Sequence, residues 1–230
     1  MAETTYLLVH GAWGGAWCWS QVGEVLTRRG VNWTAIDLPS STHGAHPNTF
    51  LADDSHDVVE IANSEGPVVL VGHSYGGAVI TQAADQIHSL ERLIYVAALV
   101  PNLGQSASEA NHEVDVKTLL DAAIERDGEF LRLNPLLAAA ALYQDCPEDV
   151  ASLAVASLST QTIASFRSPR TAFDVDVPSY YVHCTLDRAI DPTLQAVMAT
   201  RCNESAKLDS GHSPMFSMPE ALCDLLLSTA

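Results

Sequence analysis

The chain has 230 residues, enough for one α/β domain with a substantial core, and no apolar run nears the roughly 20 residues that cross a bilayer. Its 11 basic residues stand against 28 acidic ones for a formal charge of -17, which repels nucleic acid and anionic membrane surfaces and leaves a small molecule as the expected partner. Five scattered cysteines without a C-x-x-C pair indicate neither a disulfide framework nor a zinc site, so no metal or cofactor is expected. The first residues, Met1-Ala2-Glu3-Thr4-Thr5, carry an acid where a signal peptide has bases, and the reading expects a cytoplasmic protein.

In chain order, Tyr6 to His10 reads as a strand from its apolar and β-branched content, ending at Gly11. A loop of three Gly and three Trp follows, from Gly11 to Trp19. Glycine lets backbones approach closely there, and the tryptophans either line a site or anchor a helix from about Trp17 to Arg29. Trp33 to Pro39 is the second strand. A polar loop with His43 and His46 comes next, then a helix from about Thr49 to Asn63; no spacing pairs those two histidines as metal ligands.

The third strand, Val68 to Val71, runs into Gly72-His73-Ser74-Tyr75-Gly76-Gly77 and then a helix-compatible stretch to Gln86. Gly72, Ser74 and Gly76 fit the G-x-S-x-G elbow, where a tight strand-to-helix turn lifts the central side chain above the sheet. Side chains at either flanking glycine would clash with the neighbouring strand and helix. The start of the following helix lies beneath Ser74, so negative charge developing on a nearby oxygen would be stabilised. His73 flanks the serine and is expected to pack or make a local hydrogen bond.

Leu93 to Val100 reads as a further buried strand stopped by Pro101. Strands alternating with helices give a parallel sheet covered on both faces. From about Asn102 to Asp174 the pattern holds no strong strand, only helical runs such as Val114 to Ile124, Leu136 to Tyr143 and Asp149 to Leu158. This stretch is read as a small helical cap over the strand ends, where open α/β sheets bind ligands. Strands resume at Ser179 to Cys184, and Asp187 falls just past the strand end. A helix from about Pro192 to Ala199, a short strand from Glu204 to Leu208 and a closing helix from about Met218 to Ser228 complete the single domain, with His212 on the last loop. The chain order Ser, acid, His is that of an α/β-hydrolase triad. Asp209 and Asp191 are alternatives to Asp187, the first close in sequence to His212 and the second shaped like a helix cap.

Over nearly its whole length the chain resembles the α/β-hydrolase superfamily, in the branch of plant hydroxynitrile lyases, salicylate methylesterases and bacterial aryl-ester and pyrethroid-type esterases. The resemblance rests on His10-Gly11-Ala12-Trp13 with Gly15-Ala16-Trp17, on Asp37-Leu38-Pro39, on Gly72 to Gly77, on Asp187 and on Gly211-His212-Ser213-Pro214. It implies Ser74 as nucleophile, His212 as base, Asp187 as its orienter, and the N–H groups of Ala12 and Tyr75 as an oxyanion hole, acting on a small apolar or aromatic ester. Two departures bear on the reaction. Gly14 stands where family members commonly carry His, and Gly11 and Ser213 stand where hydroxynitrile lyases carry Thr and Lys. Without that lysine nothing stabilises a departing cyanide, so the resemblance favours hydrolysis over cyanohydrin cleavage; a non-catalytic ligand-binding protein on the same scaffold is the third reading.

Overall fold

The computed structural model describes residues 3–228. Its main sheet forms from β1 (Thr5–Val9), β2 (Asn32–Ile36), β3 (Val68–His73), β4 (Leu90–Val96), β8 (Ser179–Cys184) and β9 (Glu204–Leu208), all paired in parallel in the order β2-β1-β3-β4-β8-β9. The wholly buried strands, β1 and β3, lie inside the sheet, while the more polar β2 and β9 take the edges, where exposure costs least.

Alternation along β1 decides which helices cover which face. Leu7 and Val9 point into a core shared with α2 (Leu51–Glu65), α3 (Gly76–Ala83) and α9 (Pro192–Ala199). Tyr6 and Leu8 point the other way, into a core built with α1 (Ser20–Arg28) and α11 (Pro219–Ser228), the latter preceded by the short α10 (Pro214–Ser217). The chain leaves β1 outward to β2 and returns to the opposite side of β1 as β3. Strand order therefore reverses between β1 and β3, and at such a point the loops at the strand C-terminal ends open a crevice. The register Val9↔Gly72 sets the loop after β1 directly beside the elbow after β3.

Several elements differ from the sequence reading, the second strand among them, which stops at Ile36 before a 3-10 turn at Pro39–Ser41. The first helix is a 3-10 turn, Ala16–Trp19, followed by α1. Strand β4 starts at Leu90 and stops at Val96, because Ala97 adopts a left-handed φ of 43° and the apolar residues after it run as a buried loop under the elbow. The segment between β4 and β8 is not purely helical. It holds α4 (Ala107–Asn111), α5 (Leu119–Ala123), α6 (Pro135–Leu142), α7 (Glu148–Ala156) and α8 (Ile163–Arg167), together with β5 (Ile124–Asp127), β6 (Phe130–Leu133) and β7 (Gln161–Thr162), which pair as an antiparallel sheet. The expected helix from Val114 to Ile124 shortens to α5, since Thr118 caps it by accepting from the Asp121 N–H and Ile124 is already extended.

Candidate active site

Ser74 sits between β3 and α3 with φ 55°, a left-handed conformation that non-glycine residues adopt only under strain. The glycines around it make that turn possible. A Cβ on Gly76 would come within 2.6 Å of the Val9 and His10 carbonyl oxygens, and one on Gly72 within 2.6 Å of the Gly76 oxygen. The strained peptide is held by its neighbours: Ser74 donates its N–H to the Val96 carbonyl at 3.2 Å, and its own carbonyl accepts from Gly77 and Leu99 at 3.1 and 3.0 Å.

His212 and Asp187 meet below the same rim. The His212 Nδ1 lies 2.8 Å from Asp187 Oδ2, with both side chains buried. A carboxylate only accepts, so Nδ1 carries the proton and Nε2 is left as the acceptor nitrogen of the ring. Three further N–H groups fix the carboxylate: Ala189 and Ile190 donate to Oδ1 at 2.7 and 3.0 Å, and the Gln195 amide donates to Oδ2 at 2.9 Å. Gln195 is itself locked to the Cys184 backbone. The two alternative acids lie elsewhere, Asp209 accepting from the Thr185 hydroxyl and Asp191 capping α9 through the Thr193 N–H.

Histidines tie the loops together. His73 Nε2 lies 2.8 Å from the His212 carbonyl, 139 residues away, and so fastens the last loop to the elbow. Burial holds its pKa well below the ordinary value, helped by the neighbouring His212, so it is a neutral donor there. His10, pushed down to about 4 by burial, accepts the Leu38 N–H on Nε2 and donates from Nδ1 to the Gly11 carbonyl, joining the loops after β1 and β2. Asp145 accepts the Gly211 N–H at 2.6 Å, and a Cβ on Gly211 would meet Gln144 at 2.3 Å. Gln195, Asp145 and this use of His73 had no signature in the sequence: Asp145 and His73 act on partners 66 and 139 residues away, and Gln195 meets Asp187 only because α9 folds back on the end of β8.

Ser74 and His212 line one cavity of about 30 Å³ with Trp13, Leu120, Leu142 and Phe216. Gly11 and Ala12 form its floor beside the serine, and a Cβ on Gly11 would stand 2.8 Å from the Ser74 Cβ. The Ala12 and Tyr75 N–H groups donate to no acceptor among the described residues. The three loop tryptophans divide their work. Trp19 is fully buried, Trp17 stacks on Phe216, and the Trp13 indole reaches the Leu131 carbonyl of β6 at 3.0 Å. A larger cleft of about 320 Å³ lies apart from these groups, and its Arg170 and Arg201 are already engaged with Asp174, Glu113 and main-chain carbonyls.

The model of the alpha/beta hydrolase family matches residues 6–225. The chain belongs to that family. Among alpha/beta hydrolases it is 31% identical to methylesterase 7 of Arabidopsis thaliana over 257 residues, covering 99% of this chain and 96% of that one. It is 28% identical to a probable hydrolase, R7, of Phoma sp., covering 100% and 99% of the two chains. The pyrethroid hydrolase of Sphingobium faniae JZ-2 shares the fold, with a TM-score of 0.85, 23% identity and 98% and 96% of the two chains covered.

Proposed function

We propose that this alpha/beta hydrolase is a serine esterase that cleaves small apolar or aromatic carboxylic esters through an acyl-enzyme. The observation that carries the reading is the 2.8 Å His212–Asp187 bond, buried at the rim of the cavity that also holds the strained Ser74. In this mechanism His212 Nε2 takes the proton of the Ser74 hydroxyl as Oγ attacks the ester carbonyl, and Asp187 fixes the ring and stabilises the imidazolium. The free N–H groups of Ala12 and Tyr75 receive the tetrahedral oxyanion, a contribution of about 3 kcal/mol per donor. His212 then returns its proton to the leaving alkoxide, and water releases the acid with the same residue as base.

Two further points favour ester hydrolysis. Relatives spanning the whole chain are named as methylesterases, and an apolar rim of Trp13, Leu120, Leu142 and Phe216 suits an apolar acyl or alcohol group. The cavity, at about 30 Å³, is narrow, and Leu120, Leu142 and Tyr143 of the β4–β8 segment form part of its wall. Cyanohydrin cleavage is disfavoured because Gly11 and Ser213 stand where hydroxynitrile lyases carry Thr and Lys. Steady-state turnover of a short-chain aryl ester tests the assignment. Ser74→Ala is expected to lower kcat/KM at least about a thousandfold with the fold intact, and retained turnover refutes the esterase.

A further inference from the structure

Both N–H groups assigned to the oxyanion lie next to a residue held in a left-handed conformation, Trp13 at φ 59° after Ala12 and Ser74 at φ 55° before Tyr75. Such conformations cost about 1–3 kcal/mol each and persist only where surrounding contacts over-determine them. For both, those contacts lead into one buried polar network that the chemistry itself does not use.

The network centres on Asp54 of α2, whose side chain is wholly buried. The Tyr75 hydroxyl donates to Asp54 Oδ2 at 2.7 Å, the Ser40 hydroxyl donates to the same oxygen, and the Ser40 N–H donates to Oδ1 at 2.9 Å. The Tyr75 ring is also stacked on Phe166 of α8 at 5.0 Å, so the side chain is pinned at its tip and on its face. From Ser40 the network passes to Gln161 of β7, also wholly buried, whose amide donates to the Ser40 and Ser165 hydroxyls at 2.8 and 2.6 Å. The Gln161 carbonyl accepts from the Ser41 hydroxyl at 2.6 Å and from the Trp13 N–H at 3.4 Å. Ser159, two residues before Gln161, holds the Trp13 carbonyl through its N–H at 2.8 Å. A buried carboxylate accepting three hydrogen bonds and a buried amide with all its hydrogen-bonding positions used are expensive to desolvate, and an apolar filling of the same space would cost less. What distinguishes them from a filling is that they grip the two residues flanking the reacting centre.

We propose that Asp54 and Gln161 are positioning residues that hold the Tyr75 and Ala12 N–H groups on the oxyanion, with Gln161 making the β4–β8 segment part of that support. The proposal rests on the esterase reading above. It deepens that reading by assigning the supports of the oxyanion hole to residues that touch neither substrate nor triad.

The test uses Asp54→Asn and Gln161→Met in the full chain, with a pair of aryl-alkyl ketones as probes. A trifluoromethyl ketone is attacked at its carbonyl carbon by Ser74 Oγ as the serine proton moves to His212 Nε2, and its oxygen becomes an anion in the hole; the methyl ketone of the same shape binds without that step. In folded variants, the trifluoromethyl ketone Ki is expected to rise at least about tenfold and kcat/KM for 4-nitrophenyl acetate to fall by a matching factor, while the methyl ketone binds within about twofold of wild type. Unchanged affinity for the trifluoromethyl ketone overturns the proposal, and so does an equal loss for both ketones, which is the mark of a generally loosened pocket. Should Asp54→Asn fail to fold, Tyr75→Phe removes only the hydroxyl and carries the same expectation. Ester turnover surviving in Ser74→Ala would instead sink the esterase reading, and the positioning roles with it.

Discussion

Asp187 accepts from four N–H donors, His212 Nδ1 on Oδ2 among them, so its orientation is fixed before any substrate arrives. Replacing it with Asn puts an amide where only acceptors are wanted. The ring must then flip tautomer or lose its partner, and in either case Nε2 no longer serves as the base. Asp187→Asn is expected to lower kcat on the order of 10³ to 10⁴-fold and, by leaving a buried donor unpaired at a cost of about 1–3 kcal/mol, to lower the thermal midpoint by roughly 2–4 °C per kcal/mol, read from aryl-ester turnover and a melting curve. An effect under tenfold would mean that Asp187 does not orient His212. Ser74, Asp187 and His212 could be nominated from the sequence because their order and their loop settings combine into one pattern, and the fold brings His212 and Asp187 into contact. Asp54, Gln161 and Gln195 were not, since a single polar residue in an apolar stretch carries no spacing signal, and its meaning depends on a partner that only the fold supplies.

At the scale of elements, the site depends on α3 lying directly against β1. Gly76 allows that approach, because a Cβ there would stand 2.6 Å from two backbone carbonyl oxygens that cannot swing aside. Gly76→Ala is therefore expected to destabilise the fold by about 1–3 kcal/mol, a fall of roughly 2–4 °C per kcal/mol in a domain this size, measured by thermal melting. A change within 1 °C would mean that the helix can retreat freely. The parallel strands and the helices between them were read in the right order. The reading failed where apolarity and strand part company. Ala97 to Val100 are buried as a loop, so their run looked like strand, while β5 carries exposed Glu125, Arg126 and Asp127, so its pairing with β6 across the Gly128-Glu129 turn was hidden.

For the whole molecule, buried titratable groups set how stability follows pH. His10, with a folded pKa of about 4, and His73, also well below 6.5, bind fewer protons folded than unfolded. Their stability is fully present above pH 6.5 and is lost as pH falls from there towards 4. Asp54 runs the other way. Burial raises it from 3.8 to about 6 against the opposing hydrogen bonds from Ser40 and Tyr75, so the folded state binds more protons between those values and gains on acidification. Two histidines outweigh one aspartate. Unfolding free energy from urea titration is expected to drop by on the order of 2 kcal/mol between pH 7 and pH 5, and an equal or higher value at pH 5 would contradict this balance.

Whether Ser74 is the proposed activated nucleophile is decided by covalent labelling with a fluorophosphonate followed by mass spectrometry. One adduct per chain is expected, mapped to Ser74, absent in Ser74→Ala and strongly slowed in His212→Ala. An unlabelled wild-type protein, or an adduct on another residue, refutes that role.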